Sequence, residues 1–362
     1  MVTHAYIHIP FCIRKCHYCS FISGFNIERK SEYISALISE IKTKYKNEIL
    51  KTIYFGGGTP SLLEVEDLKR ILSCFNYNKN SEITIEINPE TVTKEKLGDI
   101  KNIGFNRISL GVQTFDNKLL NSIGRKHNEE KIYEAIEIIK NTGFKNISID
   151  LIYGLPNQTL DGFVEDIKNA INLNIQHISS YGLKIEDESF FGKNPPPNLP
   201  DDEQQALMYG KLCKILKEKD FEHYEISNFA KKGYKSNHNC AYWENKNYYG
   251  FGLNASGYEG NIRYKNTSDF ENYLKNPLQR EEEELLSIQE TMENEIFLAL
   301  RLKKGINISD LNQKYNINFE KKYEKIINKY AKTNHLKMEN NHCKLTEEGI
   351  LLSNEIMSEF LD

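Results

Sequence analysis

The chain has 362 residues, with 47 Lys and Arg against 51 Asp and Glu, a net charge of −4, and 39% hydrophobic residues. That length permits two domains, or one large α/β barrel with an appendage, and a core that needs no disulfides. The slight acidic excess argues against a surface built to coat nucleic acid, and no run approaches the roughly 18 apolar residues that cross a membrane.

Residues 1–4 lead straight into an apolar stretch that is too short for a signal peptide and has no basic segment before it. A cytoplasmic protein with reduced thiols is therefore expected. From residue 5 to about 183, short β-rich runs alternate with amphipathic helical stretches. Strands are expected at 5–9, 52–55, 82–87, 107–111, 146–152 and 177–183. Helices are expected between them at 31–44, 65–74, 94–103, 117–123, 129–141 and 160–173. Serial βα units imply a parallel sheet with right-handed crossovers. Periodicity alone does not choose an open sheet or a barrel, but either places its site on the loops at the C-terminal strand ends.

Pro195, Pro196, Pro197 and Pro200 mark a linker. A helix follows over 202–219, with Asp201 or Asp202 as its cap. Residues 221–264 are aromatic and rich in Gly and Asn, contain the only Trp, Trp243, and read as an irregular sheet extension. The acidic run from Glu281 to Glu284 reads as a solvated helix start. Residues 288–362 form a separate module, with helices at 291–302, 309–315 and 319–332, a hairpin at 336–345 and a closing helix at 346–360. This order resembles a winged helix. Its lysines are balanced by glutamates, so a docking or lid role is expected rather than DNA binding. The domain boundaries expected are 1–183, 184–287 and 288–362.

Three of the seven cysteines, Cys12, Cys16 and Cys19, crowd the loop after the first strand. Cys74, Cys213, Cys240 and Cys343 stand alone and are expected as small core hydrophobes. Three thiolates on one loop can hold three irons of a [4Fe–4S] cluster and leave the fourth open. A zinc site with His17 as fourth ligand is the alternative, disfavoured because His17 lies between two ligands in a tight loop. The second signal is Tyr54-Phe-Gly-Gly-Gly-Thr-Pro60 at the end of the second strand. Glycines there remove Cβ atoms so that a ligand can approach the backbone; a tight turn is the plainer reading.

Taken together, these motifs and the serial βα units resemble the radical S-adenosylmethionine (SAM) superfamily, whose fold is a partial (β/α)6 barrel. More narrowly, the chain is similar to the oxygen-independent coproporphyrinogen III oxidase group. That likeness rests on Tyr6-Ile-His-Ile-Pro-Phe-Cys12, Ile85-Glu-Ile-Asn-Pro89, Leu110-Gly-Val-Gln-Thr-Phe115, Gly124-Arg-Lys-His127 and Asp150-Leu-Ile-Tyr-Gly-Leu-Pro156. The resemblance implies a [4Fe–4S] cluster on Cys12, Cys16 and Cys19, with the amino and carboxylate groups of SAM on the open iron. It implies Gly57, Gly58 and Thr59 against that part of SAM, Tyr6 near its adenine, and Tyr18 nearby in the cysteine loop. Glu86, Gln113, Arg125 and Asp150 match positions that bind one or two SAM molecules. An electron donor, homolysis of the SAM C5′–S bond and hydrogen abstraction by a 5′-deoxyadenosyl radical follow from the same resemblance.

Two departures point away from the oxidase. Its additional Cys, two positions after the last ligand, is replaced in Cys19-Ser-Phe21, and the first strand begins at residue 5 with no N-terminal extension before it. The string Ser236-Asn-His-Asn-Cys-Ala-Tyr-Trp243 is similar to the heme-chaperone branch of the group, which the resemblance implies binds heme and passes it to acceptor proteins. A heme site wants an axial ligand and flat walls. His238 beside Tyr242, Trp243, Tyr248, Tyr249 and Phe251 offers both; the alternative is that His238 and Asn239 merely tie the loop to the barrel. His8 is expected as a packed, hydrogen-bonded residue, and His127 as a possible pocket residue. The expectation is an α/β protein, a partial (β/α)6 radical SAM barrel with a C-terminal winged-helix-like α+β module, serving as a heme chaperone. The alternatives are oxidative decarboxylation of coproporphyrinogen III to protoporphyrinogen IX, and DNA-binding regulation through the C-terminal module.

Overall fold

The computed structural model describes residues 1–361. Its first half resolves into β1 (His4–Ile9), α1 (Lys30–Lys44), β2 (Ile49–Gly57), α2 (Val65–Leu72), β3 (Asn76–Ile87), α3 (Lys94–Asn102), β4 (Arg107–Gln113), α4 (Asn117–Ser122), α5 (Glu129–Asn141), β5 (Asn146–Tyr153), α6 (Leu160–Asn172) and β6 (His177–Gly182). Each expected strand and helix is present, with ends displaced by a few residues. The strands β1 to β6 lie side by side in chain order, all parallel. A parallel sheet covered by helices buries both faces, and every residue of β4 is buried. Helix α5 shows why the helices sit where they do. Ile132, Ala135, Ile136 and Ile139 fall on one face and are buried, while the Asn128 side chain accepts from the Lys131 N–H to close the N-terminus.

The middle segment contains α7 (Phe190–Lys193), α8 (Asp202–Glu218), β7 (Glu222–Glu225), β8 (Asn228–Ala230), α9 (Asn237–Trp243), β9 (Tyr249–Phe251), β10 (Ser256–Glu259), β11 (Ile262–Asn266), α10 (Phe270–Lys275) and β12 (Arg280–Leu285). The cap of α8 is Asp201, in a reciprocal box with Gln204. The sheet extension is real and occurs at both ends of the barrel. The β7–β8 hairpin adds antiparallel beside β6, and β9 adds parallel beside β1, giving nine strands in the order β7-β8-β6-β5-β4-β3-β2-β1-β9.

Two expectations for this segment are corrected. Residues 237–243 form a helix rather than sheet, because the Ser236 hydroxyl and the distant Glu82 carboxylate accept its first N–H groups. The acidic run is not a helix start but part of strand β12, paired with β11 in the antiparallel sheet β10-β11-β12. Cross-strand charge supports it, with Lys265 of β11 3.4 Å from Glu282 of β12.

The C-terminal module follows as α11 (Ile288–Leu300), β13 (Ile306–Asn307), α12 (Ile308–Tyr315), α13 (Phe319–Lys322), α14 (Glu324–Lys332), β14 (Leu336–Glu339), β15 (His342–Leu345), α15 (Glu347–Leu351) and α16 (Ser353–Ser358). The hairpin is as expected, and β13 completes a three-stranded sheet in the order β13-β15-β14. The two long helices expected here are each broken, at Tyr323 and at Leu352. The first break lets Phe319 and Tyr323 pack against Phe360. No helix among the described residues is long and apolar enough to cross a membrane.

Candidate cofactor site at the strand ends

Strand β1 delivers the chain into the cysteine loop at Pro10 and Phe11. The loop is fastened to the end of β2: the Gly58 N–H donates to the Ile9 carbonyl at 2.8 Å and the Thr59 N–H to the Phe11 carbonyl at 2.7 Å. Cys12, Cys16 and Cys19 are free and partly buried. The Thr59 hydroxyl lies 3.7 Å from the Cys12 sulfur, and Arg125 Nη1 lies 3.4 Å from the Cys16 sulfur. Burial pushes the Cys12 and Cys19 thiols up from their usual range. His17 has a different task. Its Nδ1 contacts the Ser122 carbonyl at 2.9 Å, its N–H donates to the Ile123 carbonyl, and its ring packs 4.6 Å from Phe190. It pins the loop to the end of α4 instead of facing the sulfurs.

The cysteines open onto a cavity of about 540 Å³ above the C-terminal ends of β2 to β6. Glu86, on β3, accepts from the Tyr54 hydroxyl at 2.8 Å and the Gly57 N–H at 3.1 Å. Burial raises its carboxyl to about 7, against those two donors and reinforced by the nearby Asp150 charge. Asp150, on β5, accepts from the Ser109 hydroxyl at 3.3 Å and is also raised by burial. Arg125 donates through Nη2 to Asn88 Oδ1 at 2.9 Å and to the Gly111 carbonyl at 2.6 Å. Burial works against its charge, but Tyr18, Cys16 and Glu90 outweigh that and hold it firmly protonated.

Gln113 shows the strongest backbone signature. Strand β4 shifts register between Gly111 and Gln113, and Gln113 adopts φ 69°. Of twelve non-glycine residues with positive φ among the described residues, the other eleven are Asn or Asp, which tolerate that region better. A strained residue at the rim of a cavity is a functional signal, and the Gln113 Oε1 is buried there without a partner.

Comparison with known proteins then identifies the architecture. The sequence matches the radical SAM superfamily over residues 6–170 and the HemN C-terminal domain over residues 286–352. It is 39% identical to the heme chaperone HemW of Lactococcus lactis subsp. lactis (strain IL1403), across 99% of this chain and 97% of that protein. It is 37% identical to the heme chaperone HemW of Bacillus subtilis (strain 168), across 99% and 98%. This chain belongs to the HemW family. The solved structure of Escherichia coli coproporphyrinogen III oxidase, HemN, shares the fold, with a TM-score of 0.88 at 22% identity over 99% of this chain and 89% of that one.

The radical SAM character of the HemW family implies a [4Fe–4S] cluster and SAM, and the residues present fit both. Three free thiols share one loop and one cavity. Among the described residues no three His, Cys, Asp or Glu side chains are grouped to hold a single ion; a cluster asks for less convergence, since each iron takes one thiolate. Buried groups without partners, Gln113 Oε1 and Arg125 Nε, border the same space, as expected where a ligand completes the hydrogen bonding.

Cys12, Cys16, Cys19, Tyr18, Gly57, Gly58, Thr59, Glu86, Gln113, Arg125 and Asp150 all line this one cavity. The glycine run is there for a reason different from the one expected. A Cβ on Gly58 would stand 2.5 Å from the Phe11 carbonyl oxygen, on Gly57 2.4 Å from the His8 ring, and on Gly56 2.9 Å from Glu86. The glycines make room for the cysteine loop and its supports rather than for ligand alone.

Tyr6 lies one side chain back from the cavity, its ring 6.2 Å from Tyr54 and its hydroxyl 3.1 Å from His8 Nδ1. His8 is packed as expected, with Nε2 2.9 Å from the Ile22 carbonyl. His127 does not line the cavity; its ring sits between Glu90 and the Val112 carbonyl. His238 is 1% exposed and has both ring nitrogens engaged, Nδ1 2.7 Å from the Thr52 hydroxyl and Nε2 2.8 Å from the Tyr242 hydroxyl. It ties α9 to β2, which is the alternative weighed against axial ligation, and as placed it offers no free nitrogen. Sequence reasoning missed Tyr54, Asn88 and Arg107. Arg107 is 1% exposed and lines the cavity with an unpartnered Nε; an arginine inside a buried parallel strand was the available signal.

Proposed function

We propose that this chain binds heme and hands it to acceptor proteins, with the strand-end cavity as its [4Fe–4S] and SAM site. The observation that carries the reading is similarity of 37–39% to heme chaperones along essentially the whole chain, against 22% to the oxidase. Phe21 supports it: where the oxidase group has a further Cys, this side chain stands 61% exposed at the cavity edge.

In this reading Cys12, Cys16 and Cys19 hold three irons, and Arg125 offsets thiolate charge at Cys16. Glu86 and Asp150 present carboxylates to the ammonium and ribose hydroxyls of SAM, and Gln113 turns its unpartnered carbonyl oxygen toward the same ligand. Tyr18, in the cysteine loop, and Tyr6, behind Tyr54, border the adenine side. When bound, the cluster and SAM supply one-electron reductive chemistry.

The test is anaerobic. Cluster-reconstituted protein is given coproporphyrinogen III, SAM and reductant beside an authentic oxidase, and separately titrated with hemin. Stoichiometric hemin binding without protoporphyrinogen formation is expected. Protoporphyrinogen at catalytic yield would replace the chaperone reading with the oxidase one, and failure to bind hemin would remove it.

A further inference from the structure

A second cleft, of about 510 Å³, lies away from the cysteines. Its floor is one face of the small sheet: Ser256 and Tyr258 on β10, Arg263 and Lys265 on β11, and Glu282 and Glu284 on β12. The opposite wall is Tyr242 and Trp243 at the end of α9, with Tyr248 after it, and Leu298 of α11 closes one side. The volume is within the roughly 300–1,000 Å³ of small-molecule sites. Aromatic walls of this kind suit a large planar ligand.

The charges on the floor are unequal. In register, Lys265 faces Glu282 and Arg263 faces Glu284. The first couple closes as an ion pair at 3.4 Å. Among the described residues Arg263 has no ion-pair partner; its guanidinium lies 5.7 Å from the Tyr258 ring centroid, at the cleft. An unpaired, half-buried guanidinium among aromatic rings is a carboxylate site, since Arg binds carboxylate through two parallel N–H bonds. The Trp243 Nε1 is also buried without a partner, beneath an Arg301 guanidinium 4.3 Å from its ring.

We infer that the heme lies in this cleft, with its macrocycle against Tyr248, Tyr258 and Trp243 and a propionate on Arg263. The inference rests on the heme-binding reading above and gives it a place. The strand-end cavity is the poorer candidate. It is of similar volume and must already hold a cluster and SAM.

The test uses the cluster-reconstituted protein titrated with hemin and with hemin dimethyl ester, whose carboxylates are masked. Arg263→Ala is expected to weaken hemin binding roughly tenfold or more, to leave the ester unchanged, and to leave iron and sulfide content intact. Arg263→Lys should recover part of the loss, and Glu284→Gln should tighten hemin. Leu298→Trp, which fills the cleft without touching a charge, should weaken hemin and ester alike. Wild-type hemin affinity in both Arg263→Ala and Leu298→Trp overturns the site while leaving the chaperone reading standing. Absence of hemin binding by the wild type overturns that reading itself.

Discussion

Around the strand-end cavity, Gln113 Oε1, Arg125 Nε and Arg107 Nε are buried with no hydrogen-bond partner among the described residues. In the C-terminal module, helix starts are closed by Ser287, Asn307, Asn318 and Thr346, each accepting from a backbone N–H in the first turn. A buried polar group without a partner costs about 1–3 kcal/mol. The barrel therefore carries open polar groups where a ligand would supply the missing partner, and the module, Arg301 Nε apart, uses its polar groups to hold itself together. One region is organised around something it lacks, the other around itself.

The sharpest way to break this contrast is at Gly58. A methyl group there meets the Phe11 carbonyl, which is backbone and has nowhere to rotate. Gly58→Ala is expected to displace the cysteine loop and abolish most retention of iron and sulfide after reconstitution, with the C-terminal module intact. Full cluster content in this variant would mean that the loop is looser than its two backbone bonds suggest.

Next in size is the module's own core. Phe360 is fully buried against Phe319 and Tyr323. Phe360→Ala should cost about 3–5 kcal/mol, read as a lower denaturant midpoint for the module, with cluster content unchanged. A matching loss of cluster would show that the two regions are one cooperative unit.

The smallest effect is a pH slope. Glu86 titrates near 7 in the folded chain against 4.5 ordinarily, so the folded state holds that proton more tightly than the unfolded one. Its contribution to stability is full below about pH 4.5 and is lost as pH rises to 7. Cluster-free wild type should therefore lose more melting temperature than Glu86→Gln between pH 5 and 7.5. Parallel profiles would show that the carboxylate is not held as the cavity geometry indicates.

The barrel was legible because its strands announce themselves locally. Short β-rich runs such as Ile147 to Ile152 alternate with helices whose buried faces repeat at helical spacing, as in α5. What stayed hidden depends on partners far along the chain. Helix α9 starts where it does because Glu82, 155 residues before Asn237, accepts from its first N–H. Strand β12 has four successive glutamates and no alternation, and forms because β11 brings Lys265 beside it. At the site, cysteine spacing and quoted family segments found most of the lining. They contained Tyr54 and Asn88 but gave them no role, because these act through Glu86, Thr59 and Arg125. Nor did they reveal that His238 spends both nitrogens on Thr52 and Tyr242.

The additions at the two ends of the large sheet have a consequence for the protein's behaviour in a crowded solution. Long parallel strands with an open edge are templates onto which another chain can add. Here β1 is covered by the three-residue β9, and β6 by the hairpin whose outer strand, β7, has four residues. Beyond β9 the chain turns into the separate sheet β10-β11-β12 through the paired backbone of Tyr248 and Tyr258. The long strands that carry the cavity are therefore guarded on both flanks by short ones, which offer an incoming strand too few free N–H and C=O groups to nucleate aggregation.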